Sequence, residues 1–235
     1  MKLGEVQAAL GKFKESASAY QEAIRRTPLL APEYLFSGGE VLIQSGDLTK
    51  AEQHAAVLMK EHPANAHELM ARIALARNDL KNAEREAQLS AASSRGLDPK
   101  RLLLVAEVFQ RQERFNEALN VLDSAEGKAK SAGLGTLHRL DFLRGDTLAR
   151  MNRFDEAEAA YRREIASFPA SGRAYANLAI LYLVQGKARE ADKVFEVLVA
   201  RYPSEANYLL AAKTYEVVED VATAREWRTR MQQLR

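Results

Sequence analysis

Three stretches of this chain are near copies of one another: KFKESASAYQEAIRRTP at 12–28, RFDEAEAAYRREIASFP at 153–169 and KAREADKVFEVLVARYP at 187–203. Aligned on their recurring small residue, they extend to a column through the whole chain: Ser16, Ala51, Ala83, Ala118, Ala157, Ala191 and Ala224, at spacings of 35, 32, 35, 39, 34 and 33. Twelve residues before each lies Gly4, Gly39, Ala71, Ala106, Gly145, Ala179 or Ala212. All fourteen slots hold Gly, Ala or Ser. A chain that repeats at this period folds as repeated units, because one unit cannot cover its own apolar face and needs a neighbour like itself.

The pattern within a unit is helical. Three residues before the recurring small residue stands an apolar anchor: Phe13, Leu48, Leu80, Phe115, Phe154, Ala188 or Val221. Four residues after it stands a second: Tyr20, Ala55, Ala87, Leu122, Tyr161 or Phe195, with Arg228 in the seventh slot and Trp227 beside it. Apolar residues at three- and four-residue steps make one stripe of a helix. Small residues let two helix axes approach, and bulky anchors fill the flanks. Gly11, Gly46, Asn78, Asn152 and Gly186 mark a turn between two helices, and Pro28, Pro63, Pro169 and Pro203 are expected to stop the second.

This pattern resembles the tetratricopeptide repeat, a helix–turn–helix unit of about 34 residues. The resemblance is closest over 139–203, where Gly145, Leu148, Phe154, Ala157, Tyr161 and Pro169, then Tyr175, Leu178, Tyr182, Gly186, Ala191, Phe195 and Pro203 match the family pattern. It is weakest over 65–99, where small residues replace the aromatics. The resemblance implies an all-α fold, a right-handed superhelical solenoid of antiparallel helix pairs. The expected units are 1–30, 32–63, 64–98, 99–136, 138–171, 172–204 and 205–235, in one solenoid domain. Five extra residues within 124–136 (SAEGKAKSAGLGT) predict a longer surface loop or bend there. The first unit starts at Gly4 without its opening turn, so a parent protein that continues upstream is expected. The helix REWRTRMQQLR carries only Trp227, Met231 and Leu234 as its stripe and reads as a polar end cap.

Function classes narrow quickly. With 47% apolar and 28% charged residues the chain is a folded protein rather than a disordered one. Its apolar runs are too short for a membrane span, so no membrane insertion is expected. No signal-peptide layout opens the sequence, and cytoplasm and periplasm both stay open. There is no cysteine, hence no disulfide framework and no thiolate nucleophile. His54, His62, His67 and His138 form no HxxxH or HExxH pair, and no GxSxG, P-loop or GxGxxG occurs. His62 and His67 flank Pro-Ala-Asn-Ala and read as solvated. Charge pairs such as Asp155 and Glu156 read as solvated helix faces. No catalytic residue, metal or cofactor is expected.

What remains is a surface. In such repeats the first helices line the concave wall. Each residue turns about 100° along a helix, so the wall lies about a quarter turn from the small column. It holds Glu33, Phe36, Glu40, Ile43 and Gln44, then Asn65, Glu68, Arg72 and Leu75, then Lys100, Leu103, Glu107, Gln110 and Arg111, then Arg139, Phe142, Asp146 and Arg150, then Arg173, Ala176, Ile180, Leu183 and Val184. The candidate groove residues are Phe36, Ile43, Arg72, Lys100, Arg111, Arg139, Phe142, Arg150, Arg173, Ile180 and Leu183. Lys100, Arg111, Arg139, Arg150 and Arg173 make one stretch basic, with Glu107 and Asp146 interrupting it. The expected partner is a protein or peptide segment with acidic and apolar side chains, gripped by arginine and buried on apolar anchors.

The expected role is a non-catalytic interaction scaffold in a larger assembly. The alternative is a regulatory or substrate-recruiting region of a larger enzyme encoded upstream. Proteins that resemble this chain are common in bacterial cell-envelope assembly and export, as well as in the cytosol. Some relatives clamp a C-terminal carboxylate with Lys and Asn residues; here Leu103 and Glu107, or Phe142 and Asp146, stand in the first pair of slots, and Ala206 and Leu210 where later cations are needed, so that clamp is not expected. Base-reading helical repeats carry a recurring polar code. Phe36, Glu68, Leu103 and Phe142 share one slot here, so no nucleic acid is expected.

Overall fold

The computed structural model describes residues 2–26, 31–93 and 98–234. These form helices and turns, with no strand among the described residues. The helices are α1 (Lys2–Ala9), α2 (Phe13–Arg26), α3 (Ala31–Ser45), α4 (Leu48–Leu58), α5 (Pro63–Ala76), α6 (Leu80–Ser93), α7 (Pro99–Arg111), α8 (Phe115–Ser131), α9 (Leu140–Arg150), α10 (Phe154–Ser167), α11 (Gly172–Val184), α12 (Ala188–Arg201), α13 (Glu205–Val217) and α14 (Val221–Gln232). They group into two compact units, Met1–Ala132 and Gly133–Arg235. Pro28, at the close of the first expected unit, lies outside the described residues.

Within each unit a helix packs on its neighbours in sequence. The odd-numbered helices also touch one another in succession: α3 with α5, α5 with α7, α9 with α11 and α11 with α13. They therefore form an inner row, and the even-numbered helices lie outside it. This is the arrangement expected of helix-pair repeats.

The two small columns are the seams. All fourteen residues are buried. Ser16, the one hydroxyl among them, donates to the Gly4 carbonyl at 2.7 Å, joining one column to the other and satisfying a buried polar group. The bulky second anchors Tyr20, Leu122, Tyr161 and Phe195 are at most 4% exposed. Where that anchor is only Ala55 or Ala87, the next odd helix fills the space. Leu69 of α5 lies 2.7 Å from where a Cβ on Gly39 would sit. Leu104, Val105, Val108 and Phe109 of α7 cluster with Ala83 and Ala87.

The first anchors are less buried than the second. Each is the first residue of an even-numbered helix. Phe13, Leu48, Leu80, Phe115 and Phe154 are half-buried, and Ala188 and Val221 are exposed. A side chain at a helix start has no preceding turn over it, so it covers the seam's end rather than its centre.

The turn before each of these positions has one geometry. Gly11, Gly46, Asn78, Glu113, Asn152, Gly186 and Glu219 all have positive φ, from 58° at Asn78 to 83° at Gly46. In the α3–α4 turn the Gly46 N–H donates to the Ile43 carbonyl at 3.1 Å and the Asp47 N–H to the Leu42 carbonyl at 2.9 Å. The other six turns repeat this pair of bonds. Together they satisfy the last carbonyls of the odd helix in a Schellman motif, which needs a left-handed residue. Asp47, Asp79 and Asp220 then cap the following helix by accepting the N–H of Lys50, Asn82 and Thr223.

Three local expectations change. Pro63 does not follow α4 directly: α4 ends at Leu58, and Pro63 opens α5, where a missing N–H costs nothing. Pro169 and Pro203 do follow their helices, each preceded by a residue at φ −134° that has left the helical region. The extra residues of 124–136 are partly helix, because α8 continues to Ser131 before the loop begins. Of the expected last stripe only Trp227 is buried; Met231 is half-buried, and Leu234, beyond the end of α14, is exposed.

Candidate interaction surfaces

Unit 1 shows what the inner row can offer. Between α3, α5 and α7 is a cavity of ≈ 180 Å³, lined by Glu40, Ile43, Gln44, Arg72, Leu75, Leu104 and Glu107. Six of these seven were expected on the wall; Leu104 was not. Ile43, Leu75 and Leu104 supply its apolar part, and Glu40, Arg72 and Glu107 bring three charges to it. Arg72 is not a free cation. Its Nη2 lies 2.8 Å from Glu68 and its Nε 3.6 Å from Glu40. Burial opposes its charge, but Glu40, Glu68 and Glu107 outweigh that and raise its pKa.

Around Arg72 lies a second arginine that the wall pattern did not single out. Arg101 of α7 donates to Glu68 at 2.7 Å, to Asn65 at 2.6 Å and to the Ala64 carbonyl at 2.9 Å. It ties α7 to the start of α5. Of the other candidates in unit 1, Phe36 is half-buried against the core around Leu35, Leu58 and Leu69. Lys100 and Arg111 are exposed, and Arg111 donates to Asn78 at 3.3 Å. Neither lines the cavity.

In unit 2 the inner row is α9, α11 and α13. Phe142 is half-buried with its ring 6.2 Å from that of Tyr161. Ile180 and Leu183 are half-buried along α11, and Arg173 is exposed at its start. Arg150 pairs with Asp146 at 3.2 Å. Arg139 is the N-cap of α9 with φ 71°, and its backbone N–H is held by Glu164, so it has an architectural task as well as a place on the wall. The basic stretch read from sequence is thus partly compensated within the protein.

The polar residues that sequence reasoning missed share one signal. Seven residues after the recurring small residue come Ala23, Leu58, Ser90, Ala125, Glu164, Leu198 and Met231. Ser90 and Glu164 are polar intruders in an apolar column, and both are fully buried. Each serves the start of the odd helix in its own pair: Ser90 donates to the Ala64 carbonyl at 2.9 Å, and Glu164 accepts the N–H of Arg139 and of Phe142 at 2.9 and 3.3 Å. His67 also departs from expectation. It lies in the first turns of α5, half-buried, with Nδ1 2.7 Å from Glu86. The four residues between the histidines are helix rather than a free turn.

Residues 33–180 match the tetratricopeptide repeat-like domain, and residues 148–213 match the tetratricopeptide repeat. The chain belongs to the tetratricopeptide repeat family. It is 25% identical over 222 residues to Protein KINESIN LIGHT CHAIN-RELATED 3 of Arabidopsis thaliana, covering 87% of this chain and 30% of that protein. The chain thus spans under a third of that relative's length. Among solved structures, a tetratricopeptide repeat protein from Parabacteroides merdae superposes with TM-score 0.61 at 16% identity, over 99% of this chain and 90% of that one. PilW, a widely conserved type IV pilus biogenesis factor, gives 0.63 at 18% identity over 86% and 92%. A chain of the APC/C hetero-tetramer Cut9-Hcn1 gives 0.66 at 16% identity over 94% and 43%. These likenesses show the fold. Tetratricopeptide repeat proteins are in general protein-interaction scaffolds without catalysis of their own. Among the described residues no helix is long and apolar enough to cross a membrane, and no three His, Asp or Glu side chains are placed to hold a metal ion.

Proposed function

We propose that this protein is a non-catalytic interaction scaffold that takes a peptide or protein segment on its inner-row helices and works within a larger assembly. The observation that carries this reading is the cavity between α3, α5 and α7, where apolar and charged side chains from three successive odd helices stand together. A surface with apolar anchors ringed by charge is suited to side chains of a partner rather than to bond-making chemistry. In unit 2 the same face presents Phe142, Ile180 and Leu183, with Arg173 as the cation that no ion pair engages among the described residues. A partner segment with apolar and acidic side chains fits that face. Lys100 and Arg111 of unit 1 likewise make no ion pair among the described residues, whereas Arg150 is engaged by Asp146 and Arg139 caps α9.

The test is site-specific photo-crosslinking in cells of the source organism. A benzophenone side chain is placed at Gln44, at Arg173, or at Lys81 on the outer helix α6. One partner band at Gln44 or Arg173 and none at Lys81 is the expected result. Equal labelling at Lys81, or labelling at none of the three, overturns the inner-row assignment.

A further inference from the structure

We propose that unit 2 carries a second docking surface on a different face of α11, shaped for an acidic amphipathic helix of a partner protein. A cavity of ≈ 450 Å³ lies between the outer helices α10 and α12, with α11 as its floor. That volume is in the range of ligand-binding clefts, about 300–1,000 Å³. Ile165, Tyr175, Leu178, Val194 and Val197 line it. Tyr175, Leu178 and Tyr182 are at i, i+3 and i+7 of α11, and at about 100° per residue they point roughly 130° away, on average, from Ile180 and Leu183. This surface is therefore distinct from the inner row.

Three features select the occupant. The trough is open and apolar: Val197 is 56% exposed although its neighbours on the floor are core residues. Its length along α12, from Glu190 to Arg201, is roughly 17 Å at 1.5 Å per residue, enough for three turns of a partner helix laying apolar side chains into a groove. Its rim is basic. Arg162, Lys193 and Arg201 face a single acid of the lining, Glu190. Arg162 is engaged by Glu158 at 2.9 Å and by the Tyr182 hydroxyl at 2.8 Å, whereas Lys193 and Arg201 make no ion pair among the described residues. They stand two turns apart on one edge of α12, roughly 12 Å along its axis. Tyr175 is 2% exposed and serves as part of the floor. Carboxylates spaced along a helix on the same side as its leucines complement all of these groups.

The experiment uses the full chain and two fluorescein-labelled helical peptides of about 15 residues. Both carry leucines at three- and four-residue spacing; one has glutamates flanking them and the other lysines. Fluorescence anisotropy is expected to show the glutamate peptide binding and the lysine peptide not. The double variant Lys193→Glu with Arg201→Glu, folded by circular dichroism, should weaken binding by at least about tenfold, as loss of charge-assisted contacts implies. Val197→Asp should weaken it too, while Lys81→Glu on the outer helix α6 of unit 1 leaves it unchanged. Equal binding of both peptides, binding that survives the double variant, or no binding of either peptide overturns the proposal. Self-association of the chain that Val197→Asp abolishes, without peptide binding, assigns the trough to a second copy and overturns it as well. Failure of the inner-row crosslinking leaves this measurement intact, so the two proposals fall separately.

Discussion

The fully buried carboxylate of Glu164 in α10 accepts the backbone N–H of Arg139 at 2.9 Å, and that of Phe142 at 3.3 Å, and so caps α9 from outside its own sequence. Arg139 occupies the N-cap without a side-chain cap of its own. Removing the carboxylate orphans two N–H groups at a buried helix start and leaves a cavity. Glu164→Ala is therefore expected to cost roughly 2–4 kcal/mol, and Glu164→Gln, which keeps the volume and one acceptor, less. Urea denaturation of the three proteins measures this. Burial raises the pKa of Glu164 against the opposing pull of the two N–H donors and of His138. A carboxyl whose folded pKa is above its unfolded value contributes stability that is full below the unfolded pKa and lost as pH rises through the folded one. The stability of wild type relative to Glu164→Gln should thus decline as pH rises from about 4.5, the ordinary glutamate value. A difference that is flat in pH would show that the carboxyl titrates alike in both states.

How much of this was legible follows from which forces write themselves into a repeating sequence. The seams did, because a close helix approach tolerates only small residues: Gly145 and Ala157 are legible as partners twelve apart, and both are buried. Groups whose importance lies in one local bond did not. Glu164 breaks an apolar column, and only its placement beside the start of α9 shows why. Arg72 was legible as a wall residue, whereas Arg101, one residue past the Lys100 slot, was not, and it clamps the start of α5. The trough of α10–α12 was hidden for another reason. Its apolar residues sit in phase with core positions, so Val194 and Val197 look like burial until the outer helices are seen to stand apart.

The left-handed turns give a second prediction. Glu113 and Glu219 hold φ 61° and 62°, where other turns use Gly or Asn. A residue with a Cβ is strained there by roughly 1–2 kcal/mol, partly offset by the greater unfolded entropy of glycine. Glu113→Gly and Glu219→Gly should each stabilise by about 0.5–1 kcal/mol, with no contact added. Gly46→Ala, where nothing lies within 4 Å of the new Cβ, should destabilise by a similar amount through the backbone alone. Thermal melts of the three variants decide it, and a lower melting temperature for Glu219→Gly would sink the account.

Unit 1 should respond to acid through His54. Its Nδ1–H donates to the Leu35 carbonyl at 2.9 Å, and burial lowers its pKa against the pull of that bond. A histidine held neutral in the fold contributes stability that is full above its ordinary value of about 6.5 and is lost as pH falls toward the folded value. His54→Gln keeps a donor for Leu35 but cannot be protonated. Denaturation midpoints of wild type and variant should therefore converge or cross as pH drops from 7 to 5, with wild type losing more. Parallel pH profiles would mean that His54 is solvated enough to charge without cost.

Two helical glycines separate packing from propensity. In a helix interior alanine is ordinarily better than glycine by about 1 kcal/mol. Gly127 in α8 has nothing within 4 Å of a new Cβ, so Gly127→Ala should give that gain or most of it. Gly145 in α9 faces the ring of Tyr161, whose Cδ1 and Cε1 would lie 2.7 Å from the Cβ. Tyr161 is 1% exposed and packed on every side, so its ring cannot withdraw without opening the seam. Gly145→Ala should therefore destabilise by roughly 1–3 kcal/mol, reversing the sign of the propensity gain. The double variant Gly145→Ala with Tyr161→Leu tests the cause. Removing the ring should return part of the loss, so the two changes together cost less than their sum. If they add without coupling, the penalty at Gly145 comes from somewhere other than the approach of α9 to α10, and the role assigned to the small columns fails at the place where their spacing is tightest against an aromatic ring.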